Sequence, residues 1–339
     1  MNDGPIYIGG LDRSGKTTMQ AFLASHPHIA IPYAGSNLWS FFYARYGDLS
    51  QSDNFERCLA ALLNYSHVVA LNPDPDRIRR EFRQGPAAYA RLFALLHEHY
   101  AEQQGKPRWG DQSGLIETYA DKLFAANPSA KLIHMVRDPR DRYAASLARA
   151  PKGKGRAGGA TARWLYSVRM AERNRSRYPD RYAVIRFETM IAQPEQALRQ
   201  VCAFLGEEYF PTMLTMDGSP LQRDKLARTA GRTPGQSPLS TDFIGGFRHS
   251  ITASDIAFIQ QVAGNKMVEY GYELEPVRLS AVGRLRFWVV DWPSNLARMA
   301  AWRGREAAHN RLPVLFGRRP DRKTLRASGR NRQSVAQTA

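Results

Sequence analysis

Cysteine is scarce: Cys58 and Cys202 are the only two in 339 residues, and no CxxC pair exists. A disulfide framework and a cysteine zinc site are thereby excluded, and a reducing cytoplasm is the expected compartment. No apolar run approaches the roughly 20 residues of a membrane-spanning helix. The opening MNDGPIYIGG lacks the basic start and apolar stretch of a secretion signal, so none is expected. HExxH is missing, and His97 and His99, two apart, point away from each other on a helix, so no metal is expected. No internal repeat is present. Acid is short as well: 31 Asp and Glu face 48 Lys and Arg, a net charge of +17. The imbalance is concentrated from Arg278 onward, where 14 basic residues meet only Asp291, Glu306 and Asp321.

What is present is an ordinary globular composition, 43% hydrophobic and 23% charged, which excludes a disordered or collagenous chain. Pro5–Gly10 reads as a buried strand running into a glycine turn, and Thr17–Ser25 as a helix through Met19, Phe22 and Leu23. Residues 38–65, 85–104 and 114–126 read as helical, with a break at Pro107–Gly110. Lys131–Val136 is a compact apolar strand feeding a helix from Pro139 to Arg149. A basic glycine-rich loop from Pro151 to Gly159 follows, then a helix over 161–178, a strand at Tyr182–Phe187 and a helix from Pro194 to Leu205. Residues 214–246 read mostly as loop, and Thr252–Tyr270 as a last helix. Repeated strand and helix of this kind predict an α/β fold: a P-loop-like parallel sheet with helices on both faces and ligands at the carboxyl ends of its strands. The expected division is one domain over 1–277 and a basic amphipathic extension, partly disordered, over 278–339.

Gly10-Leu-Asp-Arg-Ser-Gly-Lys-Thr17 fits GxxxxGK[ST] directly after a strand and at the start of a helix. A ring of backbone N–H groups and the positive end of a helix, with Arg13, Ser14, Gly15, Lys16, Thr17 and Thr18, suits a phosphorylated ligand. A nucleoside-triphosphate kinase would also need an acid after a hydrophobic strand to hold Mg²⁺. Asp138 is near such a place, but Arg137, Arg140 and Arg142 surround it and suit a second anion instead.

These residues together resemble the sulfotransferases that use 3′-phosphoadenosine 5′-phosphosulfate (PAPS). Ile8–Thr18 with Ser25-His-Pro27 resembles that family's 5′-phosphosulfate loop, and Lys131–Ser146 its 3′-phosphate motif. Ile185-Arg-Phe-Glu188, Pro194-Glu195, Phe204-Leu-Gly206, Ile244–Arg248 and Tyr270-Gly-Tyr272 are similar to later segments, so the likeness covers about residues 5–275. It implies that the loop holds the 5′-phosphosulfate and that Arg137 with a helix serine holds the 3′-phosphate. The matching position 145 is alanine, and the serine is Ser146. Where many members have Lys-Thr after Gly-Asp, this chain has Gln112-Ser113, and Lys16 is the candidate that replaces the lysine's charge.

Sulfuryl transfer asks for in-line geometry, positive charge at the leaving phosphate oxygen, and a base for the acceptor hydroxyl. Lys16 is the expected charge. Where the resemblance implies a glutamate base shortly after the His-Pro step, Ile29–Phe42 has no acid and offers Tyr33, Ser36 and Asn37 instead. Asp111, in the central Gly-Asp step after a short apolar segment, is the first candidate base, with a helix-cap role as its equal alternative. His28 and His134 follow, His134 reading better as a satisfied core histidine.

The implied activity is sulfuryl transfer from PAPS to a hydroxyl of a glycan or other hydroxylated metabolite. A P-loop kinase and a non-catalytic nucleotide-binding protein at a membrane surface are the alternatives. Phe287–Trp292 with Leu296, Met299 and Trp302 forms an aromatic-apolar stripe among arginines. It suits peripheral contact with an anionic inner membrane surface, or packing on the body. No base-reading module accompanies the charge, so nucleic acid is not an expected partner.

Overall fold

The computed structural model describes residues 4–149, 157–231, 233, 239–311 and 320. Five parallel strands form the central sheet: β1 (Ile6–Gly10), β2 (Ile29–Ala30), β3 (Arg108–Gln112), β4 (Lys131–Val136) and β5 (Tyr182–Arg186), in the order β2-β3-β1-β4-β5. The chain leaves β1 to one side for β2 and β3 and returns to the other for β4 and β5. The carboxyl end of β1 is therefore the switch point at which such sheets bind ligands.

Both faces of the sheet are covered, as expected for parallel strands. Ile6, Ile8, Ile133 and Met135 join one core with Phe22 and Leu23 of helix Lys16–Ala24 and Leu198 and Val201 of helix Pro194–Leu205. Their neighbours Tyr7 and Leu132 point the other way, into a core shared with Leu59 of helix Ser52–Leu63 and Leu92 of helix Tyr89–Gln103. A third core holds Val136, Trp164 of helix Ala157–Arg177 and Phe258 of helix Ala253–Glu269.

The structure differs from the sequence reading in several elements. Residues 38–65 are not one helix: Leu38–Phe41 and Ser52–Leu63 are separated by a turn in which Ala44 (φ 58°) and Gly47 (φ 80°) are left-handed. The segment 114–126 begins with Leu115 at φ 60° and a short 3₁₀ turn before helix Ala120–Ala126. Residues 214–246 contain a helix, Pro220–Thr229, that packs on helix Lys16–Ala24. Its glycine- and arginine-rich composition concealed a contact in which a Cβ on Gly218 would fall 2.1 Å from the Ala24 carbonyl oxygen. β2 and β3 were not expected, because Arg108-Trp-Gly-Asp-Gln112 carries buried polar groups rather than an apolar run. Residues 150–156 of the basic loop lie outside the described residues, as do 312–319 and 321–339.

From Ala281 the chain is helical: Ala281–Arg286, a π-helical turn at Phe287–Asp291, and Trp292–Arg311. Phe287, Met299 and Trp302 enter the third core, Trp302 edge-on to Tyr166 at 5.5 Å. Gly158 N–H donates to Asn295 Oδ1 at 2.9 Å, and a Cβ on Gly158 would lie 2.0 Å from the Asn295 carbonyl oxygen. The last helix is thereby seated on helix Ala157–Arg177. No helix among the described residues is long and apolar enough to cross a membrane.

Candidate active site

The carboxyl ends of β3, β1 and β4 meet at one place. β1 ends at Gly10, paired with Met135 of β4, and Ser113 N–H donates to the Ile8 carbonyl oxygen at 3.0 Å. The loop after β1 turns through three left-handed residues, Gly10 (φ 108°), Arg13 (φ 68°) and Gly15 (φ 94°). Gly15 has no room for a side chain, since a Cβ would stand 2.4 Å from the Phe187 ring. The helix then starts at Lys16, so the amides of Lys16 and Thr17 have no intrahelical acceptor and face out with the positive end of the dipole.

The loop side chains divide their work. Ser14 Oγ is buried and donates to the Leu11 carbonyl oxygen at 2.7 Å, inside the loop, and Thr18 is buried in the first turn of the helix. Lys16 Nζ folds back to donate to the Gly10 carbonyl oxygen at 2.8 Å, with Asp12 at 3.7 Å and Gly114 on its other side. Lys16 with Arg142, Arg163 and Arg13 around it holds the Asp12 carboxyl below its usual range.

Arg137, just past β4, reaches the loop directly. It donates to the carbonyl oxygens of Arg13 (3.2 Å) and Phe243 (2.6 Å), and its guanidinium lies over Phe187, the same ring that abuts Gly15. The residues expected at the 5′ and at the 3′ site are thus in direct contact. Helix Pro139–Arg149 supplies Arg142, which reaches Asp12 O (3.4 Å) and Ala160 O (3.1 Å). Ser146 Oγ donates to the Arg142 carbonyl oxygen at 2.9 Å, which places the serine one turn along on the Arg142 face. The acids nearby are engaged. Asp138 forms a buried pair with Arg140 at 2.7 Å. Asp141 accepts from the Gly245 and Phe247 amides, and Glu188 from the Asp138 amide.

The cations, in contrast, have too few partners. The Nε atoms of Arg137 and Arg142 are buried with no hydrogen-bond partner among the described residues. Burial and then the Arg149 and Arg137 charges depress the Arg13 guanidinium; burial and Arg163 push Arg142 down to about 10. Lys225, on the helix read as loop, is depressed by burial and by Arg149 and Arg13. The charges of Arg149, Arg163 and Lys225, which the sequence reading did not single out, reach these groups. No local pattern marks them; they come from three helices.

Asp111, the candidate base, is elsewhere in character. Its carboxylate is buried and accepts from Ser36 N–H (3.0 Å), Ser36 Oγ (2.6 Å) and Ser113 Oγ (3.0 Å), with His97 Nε2 at 3.7 Å. Burial would raise its pKa, but His97 and Ser36 outweigh that and hold it below the ordinary value, the opposite of what a base needs. It does not cap a helix at Gly114 either; it ties the Ser36–Asn37 segment to the end of β3. Asn37 Oδ1 accepts from Gly114 N–H at 3.3 Å, the residue next to Lys16 Nζ. Tyr33 is partly exposed and belongs to neither set.

The histidines fall outside the cleft. His28 follows helix Lys16–Ala24 at its far end, about 13 Å from the loop at 1.5 Å per residue. His28, His26 and Glu207 could in principle gather a metal ion, but His26 is held at both ring nitrogens, by the Glu208 carbonyl oxygen and the His28 amide, and Arg108 pairs with Glu207 at 2.9 Å. His134 is the core histidine its strand suggested, bonded to Tyr182 Oη and Ser167 Oγ and depressed by burial.

Comparison with known proteins matches residues 5–211 to the sequence model of the sulfotransferase family. No curated protein sequence is significantly similar. Among solved structures, the sulfotransferase domain of the Synechococcus PCC 7002 olefin synthase is 22% identical, with a TM-score of 0.49 over 80% of this chain and 97% of that one. The sulfotransferase domain from the curacin biosynthetic pathway is 18% identical, with a TM-score of 0.45 over 80% and 99% of the two chains. A Mycobacterium avium sulfotransferase is 15% identical, with a TM-score of 0.44 over 81% and 79%.

Proposed function

The chain belongs to the sulfotransferase family, and from that premise we propose that it transfers a sulfuryl group from PAPS to a hydroxyl of a glycan or other hydroxylated metabolite. One observation carries the donor assignment: at the ends of β1 and β4 the buried Arg137 Nε and Arg142 Nε have no hydrogen-bond partner among the described residues. A donor with phosphate at both ends supplies the missing acceptors. In this reading the amides of Gly15, Lys16 and Thr17 and the Arg13 side chain take the 5′-phosphosulfate, while Arg137 and Ser146 take the 3′-phosphate. Ser14 bonds inside the loop, and Thr18 is buried in the first turn of the helix.

Lys16 is the proposed charge at the phosphate oxygen that departs. Swinging its Nζ from the Gly10 carbonyl oxygen toward a ligand would loosen its 3.7 Å pair with Asp12, whose exposed carboxylate water can solvate instead. Asp111 enters as a positioning residue that fixes Ser36 and Asn37 beside the reacting end. The kinase alternative would use Asp138 for Mg²⁺, but that carboxylate is held by the Arg140 side chain and amide. The proposed working place is the cytoplasm, at the inner face of a membrane, where a lipid-linked or nascent surface acceptor would be found.

Titration calorimetry tests the reading. The chain should bind 3′,5′-adenosine bisphosphate and ignore ATP–Mg²⁺; tight binding of ATP–Mg²⁺ alone would overturn it in favour of a kinase, and binding of neither in favour of a non-catalytic role.

A further inference from the structure

The C-terminal helical run is apolar on two sides. Its inner side, Phe287, Met299 and Trp302, belongs to the third core. Its outer side carries Val282, Leu285, Trp288, Val289 and Leu296, all exposed, with Val282 at 79% and Val289 at 64%, while Val290, also half-exposed, lines a cavity shared with Tyr143 and Asp255 of the body. Val282, Leu285, Val289 and Leu296 follow one another at steps of three, four and seven, a single stripe on a helix. The π-helical turn widens the middle of the stripe. There Phe287 remains in the core while two successive apolar side chains, Trp288 and Val289, stand in solvent. Single exposed apolar residues are ordinary, but a contiguous group of this kind marks a contact surface.

The charges around the stripe identify what it contacts. Arg278, Arg284, Arg286, Arg303, Arg305 and Arg311 are exposed along the same run. Its two acids are both engaged: Asp291 accepts from Ser254 Oγ at 2.7 Å and lies 3.9 Å from Arg286 Nε, and Glu306 is buried. An apolar strip with a tryptophan, bordered by arginines and with its acids engaged, complements a surface that is negative outside and apolar beneath. A protein partner would need a matching acidic rim, whereas an anionic lipid surface presents both properties everywhere.

We propose that this outer face docks the protein on an anionic membrane, the helix lying in the surface plane with Leu285, Trp288 and Val289 below the headgroups and the arginines at the lipid phosphates. The assignment rests on the reading of a membrane-proximal enzyme and sharpens it to one face. The inner side, seated on helix Ala157–Arg177, holds the body and its basic cleft at a fixed orientation to that surface.

The test is co-sedimentation of the full chain with phosphatidylcholine vesicles, with and without phosphatidylglycerol, at low and high salt. Binding should require phosphatidylglycerol and weaken with salt. The double variant Trp288→Ser, Val289→Ser should bind at least about tenfold more weakly through lost apolar burial. Arg278→Gln with Arg284→Gln should do the same through lost charge, by about tenfold or more. Unchanged thermal melting of both variants would show that the loss is local. Binding of the full chain that neither pair weakens overturns this face while leaving membrane attachment standing. No sedimentation at low salt overturns both. A concentration-dependent dimer dispersed by Val289→Asp, without vesicle binding, assigns the face to a second copy of the chain.

Discussion

The end of β3 and the loop after β1 are adjacent, polar and buried, yet they are built in opposite ways. At Asp111 one carboxylate accepts from two hydroxyls and an amide of the chain itself, and the His97 imidazole, whose Nε2 has no hydrogen-bond partner among the described residues, stands 3.7 Å away as a charge partner. At the loop and Arg137, cations crowd one another and two buried guanidinium Nε atoms have no acceptor. A saturated polar cluster holds a fold together, because removing any member leaves a buried group unpaired. An unsaturated one costs folding energy that only a ligand returns, which is the mark of a binding site. Both are equally polar in sequence, and both keep an unpartnered buried nitrogen. What separates them is that the Asp111 carboxylate is met by donors of the chain, while the Arg137 and Arg142 guanidinium groups face other cations, Arg13 and Arg163.

The largest expected effect strikes the saturated side. Asp111→Ala leaves His97, Ser36 and Ser113 facing an empty site, and chemical denaturation should show a loss of about 3–5 kcal/mol, the cost of breaking a buried charge pair. A variant that retains full stability would mean that Asp111 is not a structural anchor, and would return it to the list of candidate bases.

On the unsaturated side the order reverses, with binding lost and stability kept. Arg137→Ala should weaken 3′,5′-adenosine bisphosphate by roughly 1.5–3 kcal/mol, a charge-assisted hydrogen bond, and barely change 5′-AMP. Because it relieves crowding with Arg13, it should not lower the melting temperature much; equal losses for both nucleotides would show that Arg137 acts on the loop's shape through the Arg13 carbonyl oxygen. Lys16→Met should lower kcat in a transfer assay by at least about tenfold, or 1.4 kcal/mol of transition-state stabilisation.

The smallest effect is a pH dependence confined to the saturated cluster. Burial opposes charge on His97, but Asp111 outweighs it and raises the imidazole above its ordinary 6.5. A raised folded pKa contributes stability that is complete below the unfolded value and is lost as pH rises through the folded one. The melting-temperature advantage of the wild type over His97→Gln should therefore shrink as pH is raised above 6.5. An advantage that grows with pH would show that His97 is neutral in the fold and only packs on Trp109.

How legible each region was in the sequence follows from the same contrast. The phosphate loop could be read because its shape is local: left-handed glycines, a preceding strand and a following helix lie within twelve residues, Ile6 to Thr17. Arg137 could be read because it ends an apolar strand beside that loop. β3 could not, since its buried Arg108 and Asp111 look like a break until Glu207 and the Gly4 and Leu205 carbonyl oxygens are seen to meet Arg108 Nε and Nη1, and Ser36 and Ser113 to meet Asp111. The same holds for helix Pro220–Thr229, which its composition disguised as loop.

By itself the sequence determined the α/β order, the turn that bares the Lys16 and Thr17 amides, and the excess of basic residues toward the end of the chain. These depend on backbone preference and on periodicity, which neighbours along the chain decide. Only the tertiary structure showed that Asp111 is buried against Ser36, Ser113 and His97, that the charges of Arg149, Arg163 and Lys225 converge near the loop, and that of the C-terminal tryptophans Trp302 turns inward and Trp288 outward. A side chain's charge state, unmet hydrogen bonds and exposure depend on groups brought close from distant positions, and those are set by packing.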